Sequence, residues 1–192
     1  MFETGLSYIQ ADFHLHTHKD KEFKYSGEQN SFVKDYVSGL KQAGIDLGVL
    51  TNHNKFDKDE YAAIRKAAKK EDIFILPGVE LTVKEGANGI HTLIVFNPDE
   101  WLANGENHIQ TFLTAAFATI SNPENSNTTC TYDLKNTIEA LDALLLSLHY
   151  KIVLTEYFHP YQIISMDILK RSHFRVENSM DSVFCYHQSL IL

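Results

Sequence analysis

Three observations predict an α/β fold for this 192-residue chain. Short, nearly all-apolar runs recur at residues 45–50, 73–76 and 90–96. The segments between the first of them carry apolar residues at helical spacing, and turn-forming residues separate the two kinds of segment. Strands alternating with helices of this length imply βα units and a largely parallel sheet or barrel. One domain is the default for such a length.

Residues 8–14 read as a first strand. A polar loop over 19–29 leads to Asn30 or Ser31 as a helix N-cap, after which Phe32, Val33, Tyr36, Val37 and Leu40 form an apolar stripe. Gly44 supplies the stop signal. The run 45–50 reads as a strand buried on both faces. Asp57 with Glu60 three residues later resembles a capping box, and Tyr61, Ile64, Ala67 and Ala68 follow on one face. A strand at 73–76, a bend at Pro77-Gly78, an extended segment at 79–83 and a strand at 90–96 complete the first half.

Beyond residue 105 the character changes. All nine glycines lie between Gly5 and Gly105, although ordinary usage of about 7% would place roughly six in the remainder. Residues 121–131 form a polar loop. A helix is expected over 133–148, from Leu134, Ile138, Leu141 and Leu145, and a strand over 151–158. Residues 161–192 show no sustained period and form a divergent tail behind a domain spanning 1–160.

A hydrophobic content of 44% and a charged content of 22% are ordinary for a globular protein. The net charge of -8 argues against general affinity for nucleic acid or an anionic membrane. It leaves a phosphorylated substrate open, because bound divalent cations reverse the local field. Cys130 and Cys185 make no paired framework, which points to a reducing compartment. The first residues lack the basic and apolar regions of a secretory signal, and no apolar run is long enough to span a bilayer. A cytoplasmic location with no membrane partner is the resulting expectation.

The chemistry concentrates at Asp12-Phe13-His14-Leu15-His16-Thr17-His18. Residues i and i+2 of a strand point to one side, so His14 and His16 can present two imidazoles to one point. A lone H-x-H is weak, but His53 at the end of the second strand, Glu80 after the third and His91 on a later one accompany it. In parallel α/β folds reactive groups gather at the C-terminal ends of strands. His91 opens its strand instead of closing it, so it requires a bulge or an inward-facing position. Imidazole and carboxylate donors without thiolates suit Zn, Mn or Fe(II). Asp12 is placed to orient a histidine. Taken singly, each residue has an ordinary reading: a loop or capping histidine at 53, a solvent-facing Glu80, a core histidine at 91. Their joint placement points to metal binding.

Asp-Phe-His-Leu-His-Thr, Thr-Asn-His-Asn, Pro-Gly-Val-Glu and the His91 strand resemble, in order and spacing, successive motifs of the PHP (polymerase and histidinol phosphatase) superfamily over residues 11–96. Thr-His-Lys-Asp-Lys-Glu-Phe and Gly-Ile-His-Thr-Leu-Ile-Val-Phe look most like the PHP domain that begins a group of large AAA-like ATPases. The resemblance implies a distorted (β/α) barrel of seven units holding two or three divalent ions. It implies that His14 and His16 hold one metal, Glu80 bridges two, His53 serves another and His91 completes the second. Three departures stand beside it. Asn52 occupies a position usually held by Asp. The later ligand histidine falls on His159, in Phe158-His159-Pro160, or less readily on His149, though a histidine in an ordinary turn fits His159 equally. The closing Asp-x-His does not occur after residue 100. With the glycine-free tail, this suggests a barrel incomplete at its C-terminus through truncation or a frame change.

Two functions follow as expectations. One is a metal-dependent phosphoesterase in which a metal-activated water attacks the phosphate ester and no protein nucleophile is required. Its substrate would be a phosphorylated small molecule or a nucleic-acid ester, with an ATPase domain as an implied partner. The other is a metal-binding but catalytically inactive fragment or interaction module. A structural zinc site fits less well, because such sites usually use closed, Cys-rich sets.

Overall fold

A computed structural model of the chain describes residues 9–87 and 89–144 together with three later strands at 152–155, 163–164 and 183–185. The strands are β1 (Gln10–Leu15), β2 (Leu47–Leu50), β3 (Phe74–Val83), β4 (Ile90–Val95), β5 (Ile152–Thr155), β6 (Ile163–Ile164) and β7 (Val183–Cys185). The helices are α1 (Phe32–Gln42), α2 (Lys58–Ala68), α3 (Pro98–Trp101), α4 (His108–Ala116) and α5 (Leu134–Leu144).

The strands form a mixed sheet in the order β5-β4-β3-β2-β1-β7-β6, four of them curling into a half-barrel. β1, β2 and β3 run parallel, and β7 pairs parallel with β1. The β3–β4, β4–β5 and β6–β7 pairs are antiparallel. The sheet is therefore less parallel than the alternation of strands and helices suggests. Among the described residues no pairing joins β5 to β6, so the sheet does not close there.

Helices α1, α2 and α5 form where the apolar spacing places them, with local differences, whereas α3 and α4 lie in a stretch given no helix from the sequence. Ser31 precedes α1 but its side chain makes no capping bond. The α1 terminus is held by Gly44 at φ 72, whose N–H donates to the Lys41 carbonyl while Ile45 donates to that of Leu40. This pattern of left-handed glycine and paired backbone bonds stops the helix. Helices α3 and α4 have side-chain caps from Asn97 and Asn107. The α4 signal (Ile109, Phe112, Leu113 and Ala116 at helical spacing) is legible in the sequence once looked for. α5 ends at Leu144, and the rest of its expected span, like His149, lies outside the described residues.

Pro77-Gly78 is not a bend. Both residues lie inside β3, which pairs with β2 up to Pro77 and with β4 from Gly78 onward. From this dipeptide onward β3 gains β4 as a partner on its other edge. A Cβ on Gly78 would stand 2.7 Å from Val49 Cγ1 and 2.9 Å from Thr51 Cγ2, so close strand approach, not turn geometry, calls for glycine.

The main core packs α1, α2, α4 and α5 onto the sheet through Phe32, Leu40, Ile64, Phe112, Leu141 and their neighbours. Each such side chain contributes about 1.5–3 kcal/mol over remaining exposed. A smaller cluster of Ala11, Phe13, Val49, Leu76, Leu93 and Val95 uses alternate strand positions. Together these hold the ends of β1, β2 and β3 and the start of β4 at one rim. No helix among the described residues is long and apolar enough to cross a membrane.

Candidate metal centre

Four segments reach that rim. β1 ends at Leu15, so His14 is in the strand and His16 just past it. His14 Nε2 and His16 Nε2 nevertheless stand 3.0 Å apart, as the two-residue spacing requires. Past the end of β2, Asn52 and His53 continue the ladder: Glu80 N–H donates to the Asn52 carbonyl, and Asn54 N–H to that of Glu80. This backbone pairing sets His53 beside Glu80.

His91 needs no bulge. Because β4 is antiparallel to β3, its first residues lie where β3 ends. His91 pairs with Thr82 and Glu80 pairs with Leu93. Glu80 and His91 are thus diagonal neighbours on one face, and His91 Nδ1 contacts Glu80 Oε1.

Glu80 is the hub. Its side chain is almost fully buried, at 2% exposure. Its Oε2 lies 2.7 Å from His14 Nε2, 3.1 Å from His53 Nε2 and 3.4 Å from His16 Nε2. A second buried carboxylate, Asp20, lies on the far side of His16 and His53: its Oδ2 is 3.0 Å from the Nδ1 of each and accepts the His53 backbone N–H at 2.7 Å. The His16 and His53 rings stack at 4.6 Å between the two carboxylates.

Burial by itself would raise both carboxyl pKa values. Hydrogen bonds from His16 and His53 outweigh it at Asp20, and bonds from His14, His53 and His91 outweigh it at Glu80, so both fall well below the usual range. Burial would lower His53, but its bonds to Asp20 and Glu80 prevail and push it up to about 10. In the metal-free chain the His53 proton is thus held between the two buried carboxylates.

The donor set fits divalent cations. Three overlapping groups, His14–His16–Glu80, His16–Asp20–His53 and His53–Glu80–His91, each bring one donor atom per residue within 4.8 Å of one another. Two donors about 2.0–2.2 Å from one ion in tetrahedral array stand roughly 3.3–3.6 Å apart. The separations of 3.0, 3.1 and 3.4 Å around Glu80 and His14 are close to that, while His14 Nε2 and Glu80 Oε2, at 2.7 Å, stand at hydrogen-bond distance and would have to part to share an ion. His14 Nε2 facing His16 Nε2 is a further sign, since two neutral rings share such a contact only when one donates and the other accepts.

All five expected donors with described side chains, His14, His16, His53, Glu80 and His91, therefore come together. His159 and the boundary expected at residue 160 lie outside the described residues. Asp12 accepts the His14 backbone N–H at 2.9 Å and so fixes the strand end. Asn52 faces Thr17, not a histidine ring: its Oδ1 accepts the Thr17 N–H and its Nδ2 donates to Thr17 Oγ1, both at 2.8 Å.

Asp20 carries no signal in the sequence, because it sits in a polar loop with no period, four residues after His16. The sequence pattern makes Glu60 half of a capping box. Asp57 does accept the Glu60 N–H at 2.9 Å, but the Glu60 carboxylate turns inward, accepting from Thr17 Oγ1 and lying 2.7 Å from His18 Nδ1. Burial pushes its pKa up to about 7.

No protein-family model matches the sequence, and neither does any curated protein. Among the solved structures similar to parts of it are two hydrolase-type proteins. An amidohydrolase from Chromobacterium violaceum, solved with sulfate and without metal, shares 22% identity over 57% of this chain and 32% of its own, with a TM-score of 0.39. A protein from Bifidobacterium adolescentis carrying a provisional assignment as a metal-dependent phosphoesterase shares 15% identity over 74% of this chain and 52% of its own, with a TM-score of 0.41. The chain thus spans about a third and about half of their lengths. Both scores are too low to carry a function across.

Proposed function

We propose that this chain is a metal-dependent phosphoesterase whose centre is built from His14, His16, Asp20, His53, Glu80 and His91. The observation that carries the reading is the convergence of three imidazole Nε2 atoms on one buried carboxylate oxygen of Glu80. Nothing in ordinary core packing calls for such a cluster, since buried charges are normally paired one to one. His159 would add a donor from beyond the described residues.

Bound divalent ions, Mn, Zn or Fe(II), supply Lewis acidity toward an ester phosphate and an attacking water. The chain's own part is to hold the donors. Asp20 fixes the Nδ1 edges of His16 and His53, which leaves their Nε2 atoms aimed at Glu80. Glu80, ionised and buried, offers one oxygen toward His14, His16 and His53 and the other toward His91. It is thereby suited to serve two ions at once. His91, with its side chain 36% exposed, marks the open side by which an ester would enter. A phosphorylated small molecule or a nucleic-acid ester fits this reading, with an ATPase domain as the partner the motif resemblance implies.

The second reading, metal binding without turnover, is favoured by Asn52, which brings no charge to the centre and is engaged with Thr17. The two separate in one assay. The chain is loaded with Mn or Zn, its metal content is measured, and a chromogenic phosphate ester is supplied to it and to the His14→Ala, His16→Ala double variant. Turnover lost in the variant supports the phosphoesterase; metal bound with no turnover supports the inactive module.

A further inference from the structure

Thr17, Asn52 and Glu60 are buried polar residues from three different segments, and they bond to one another beneath the candidate centre. Thr17 follows His16, Asn52 precedes His53, and Glu60 lies in the first turn of α2. The direction of each bond is fixed. The Thr17 backbone N–H can only donate, so the Asn52 atom facing it is Oδ1. Asn52 Nδ2 then donates to Thr17 Oγ1. With its oxygen accepting there, the single hydroxyl proton of Thr17 is free to go to Glu60, whose carboxylate accepts it. The other carboxylate oxygen lies beside His18 Nδ1, and the His18 ring packs edge-on against Phe32 of α1 at 4.0 Å.

We infer that Thr17, Asn52 and Glu60 form a positioning relay that sets the spacing of His16 and His53, the two rings that share Asp20. The inference rests on the site proposed above but concerns residues that hold no metal there. Besides the relay, the loop after β1 and the segment after β2 are joined by Asp20, by the Thr51 N–H donating to the Leu15 carbonyl, and by the shared Glu80 carboxylate and ring stack of His16 and His53. His16 is the more dependent of the two: its backbone is anchored by the Tyr36 hydroxyl, which donates to its carbonyl at 2.9 Å, whereas ladder pairing to β3 holds His53. The polarity also gives Asn52 a specific role. A carboxylate at that position could not donate to Thr17 Oγ1, and it would compete with Glu60 for the hydroxyl proton.

The test uses the metal-free full chain and reads the histidine rings by long-range 1H–15N NMR, with Thr17→Val, Thr17→Ser, Glu60→Ala, Glu60→Gln and Asn52→Asp. The relay predicts that Thr17→Val and Glu60→Ala move the His16 ring signals and leave His91 in place, while Thr17→Ser restores the parent spectrum. In Glu60→Gln the amide oxygen still accepts from Thr17, so His16 keeps its signals and His18 moves. If the harsher variants do not fold, Asn52→Asp decides the matter, because it removes the donor to Thr17 Oγ1 and should move the His16 signals, and His16 unmoved there would overturn the relay. Co(II) titration of the same proteins then reads the centre. Thr17→Val and Glu60→Ala should each weaken Co(II) by about tenfold, within the range for groups that support ligands, and the double variant by no more than either alone. His16 signals unmoved in both Thr17→Val and Glu60→Ala would overturn the relay whatever the titration gives. Failure of the parent chain to take up Co(II) would remove the metal centre while the ring signals still decide the relay.

Discussion

Glu80 and His91 meet because the chain reverses between them. Glu80 lies in the antiparallel half of β3, His91 is the second residue of β4, and their side chains touch diagonally across the pair. An antiparallel strand brings its beginning to the rim where the parallel strands end. A histidine that opens a strand can therefore join those that close one. The other three rings, His14, His16 and His53, reach the same carboxylate from the parallel side.

Replacing Glu80 by Gln keeps its volume and removes its charge from all four rings. Glu80→Gln should weaken Mn binding at least about 100-fold, above the range for a supporting group, as measured by calorimetric titration. The His53 pKa should also fall, because one of the two carboxylates that raise it is gone. Mn affinity equal to that of the parent chain would remove Glu80 from the centre.

Metal should oppose the pH dependence of stability above neutrality. In the metal-free chain His53 is raised from 6.5 to about 10, so its contribution is fully present below pH 6.5 and is lost as the pH rises toward 10. Glu60, raised from 4.5 to about 7, acts in the same direction between those values, because the folded chain holds its proton more tightly. Asp20 and Glu80 are depressed, so their stabilisation is present above the ordinary carboxylate range and lost as the pH falls through it and below. The metal-free Tm should therefore fall above neutrality and again in acid. Metal binding requires the His53 proton to leave. The rise in Tm given by Mn should accordingly grow from about pH 6 to about pH 8, as scanning calorimetry with and without Mn would show. A Mn increment that is flat or shrinks with pH would exclude His53 as a ligand.

Much of this geometry was legible in the sequence, and what was not has physical causes. The apolar periods give β1 to β4, α1 and α2 because those segments bury one face or both. They give no strand direction, hence the difficulty with His91. A signal for direction was present: only six residues separate Val83 from Ile90, too few for a parallel crossover, which takes a dozen or more. The His14-x-His16 pair was legible because side-chain alternation is local. Asp20 and Glu60 were not, since their roles depend on contacts with residues 33 and 43 positions away, His53 and Thr17. Pro77-Gly78 misled because the dipeptide usually marks a turn, whereas here the glycine answers to Val49 and Thr51 across the sheet.

Gly78→Ala tests that account of the dipeptide. The added methyl would meet Val49 Cγ1, Thr51 Cγ2 and the Ile94 carbonyl at 2.7, 2.9 and 3.0 Å. Overpacking of this kind costs about 1–3 kcal/mol, to be read as a lower urea midpoint with unchanged slope. An unaltered midpoint would show that the strands have room there.

Asn54 joins the rim to the polar loop at 121–131. In the left-handed region at φ 51, it accepts the Thr82 N–H at 3.0 Å and donates to the carbonyls of Asn125 and Thr128 at 3.2 and 2.9 Å. Asn54→Gly keeps the backbone conformation and removes all three bonds. It should cost about 1–3 kcal/mol, from the polar groups left without a partner. Hydrogen exchange should also speed up at the amides of Thr82 and residues 125–128. Exchange unchanged at 125–128 would mean that the loop is held by other contacts.

The central claim is that His14, His16, Asp20, His53, Glu80 and His91 form a divalent-metal centre. Metal content after loading with Mn and removal of excess by gel filtration tests it most directly, comparing the parent chain with Glu80→Gln and with the His14→Ala, His16→Ala double variant. The account predicts retained metal in the parent chain and its loss in both variants while each remains folded by circular dichroism. A folded parent chain that retains no metal, or variants that retain as much as the parent, would contradict it.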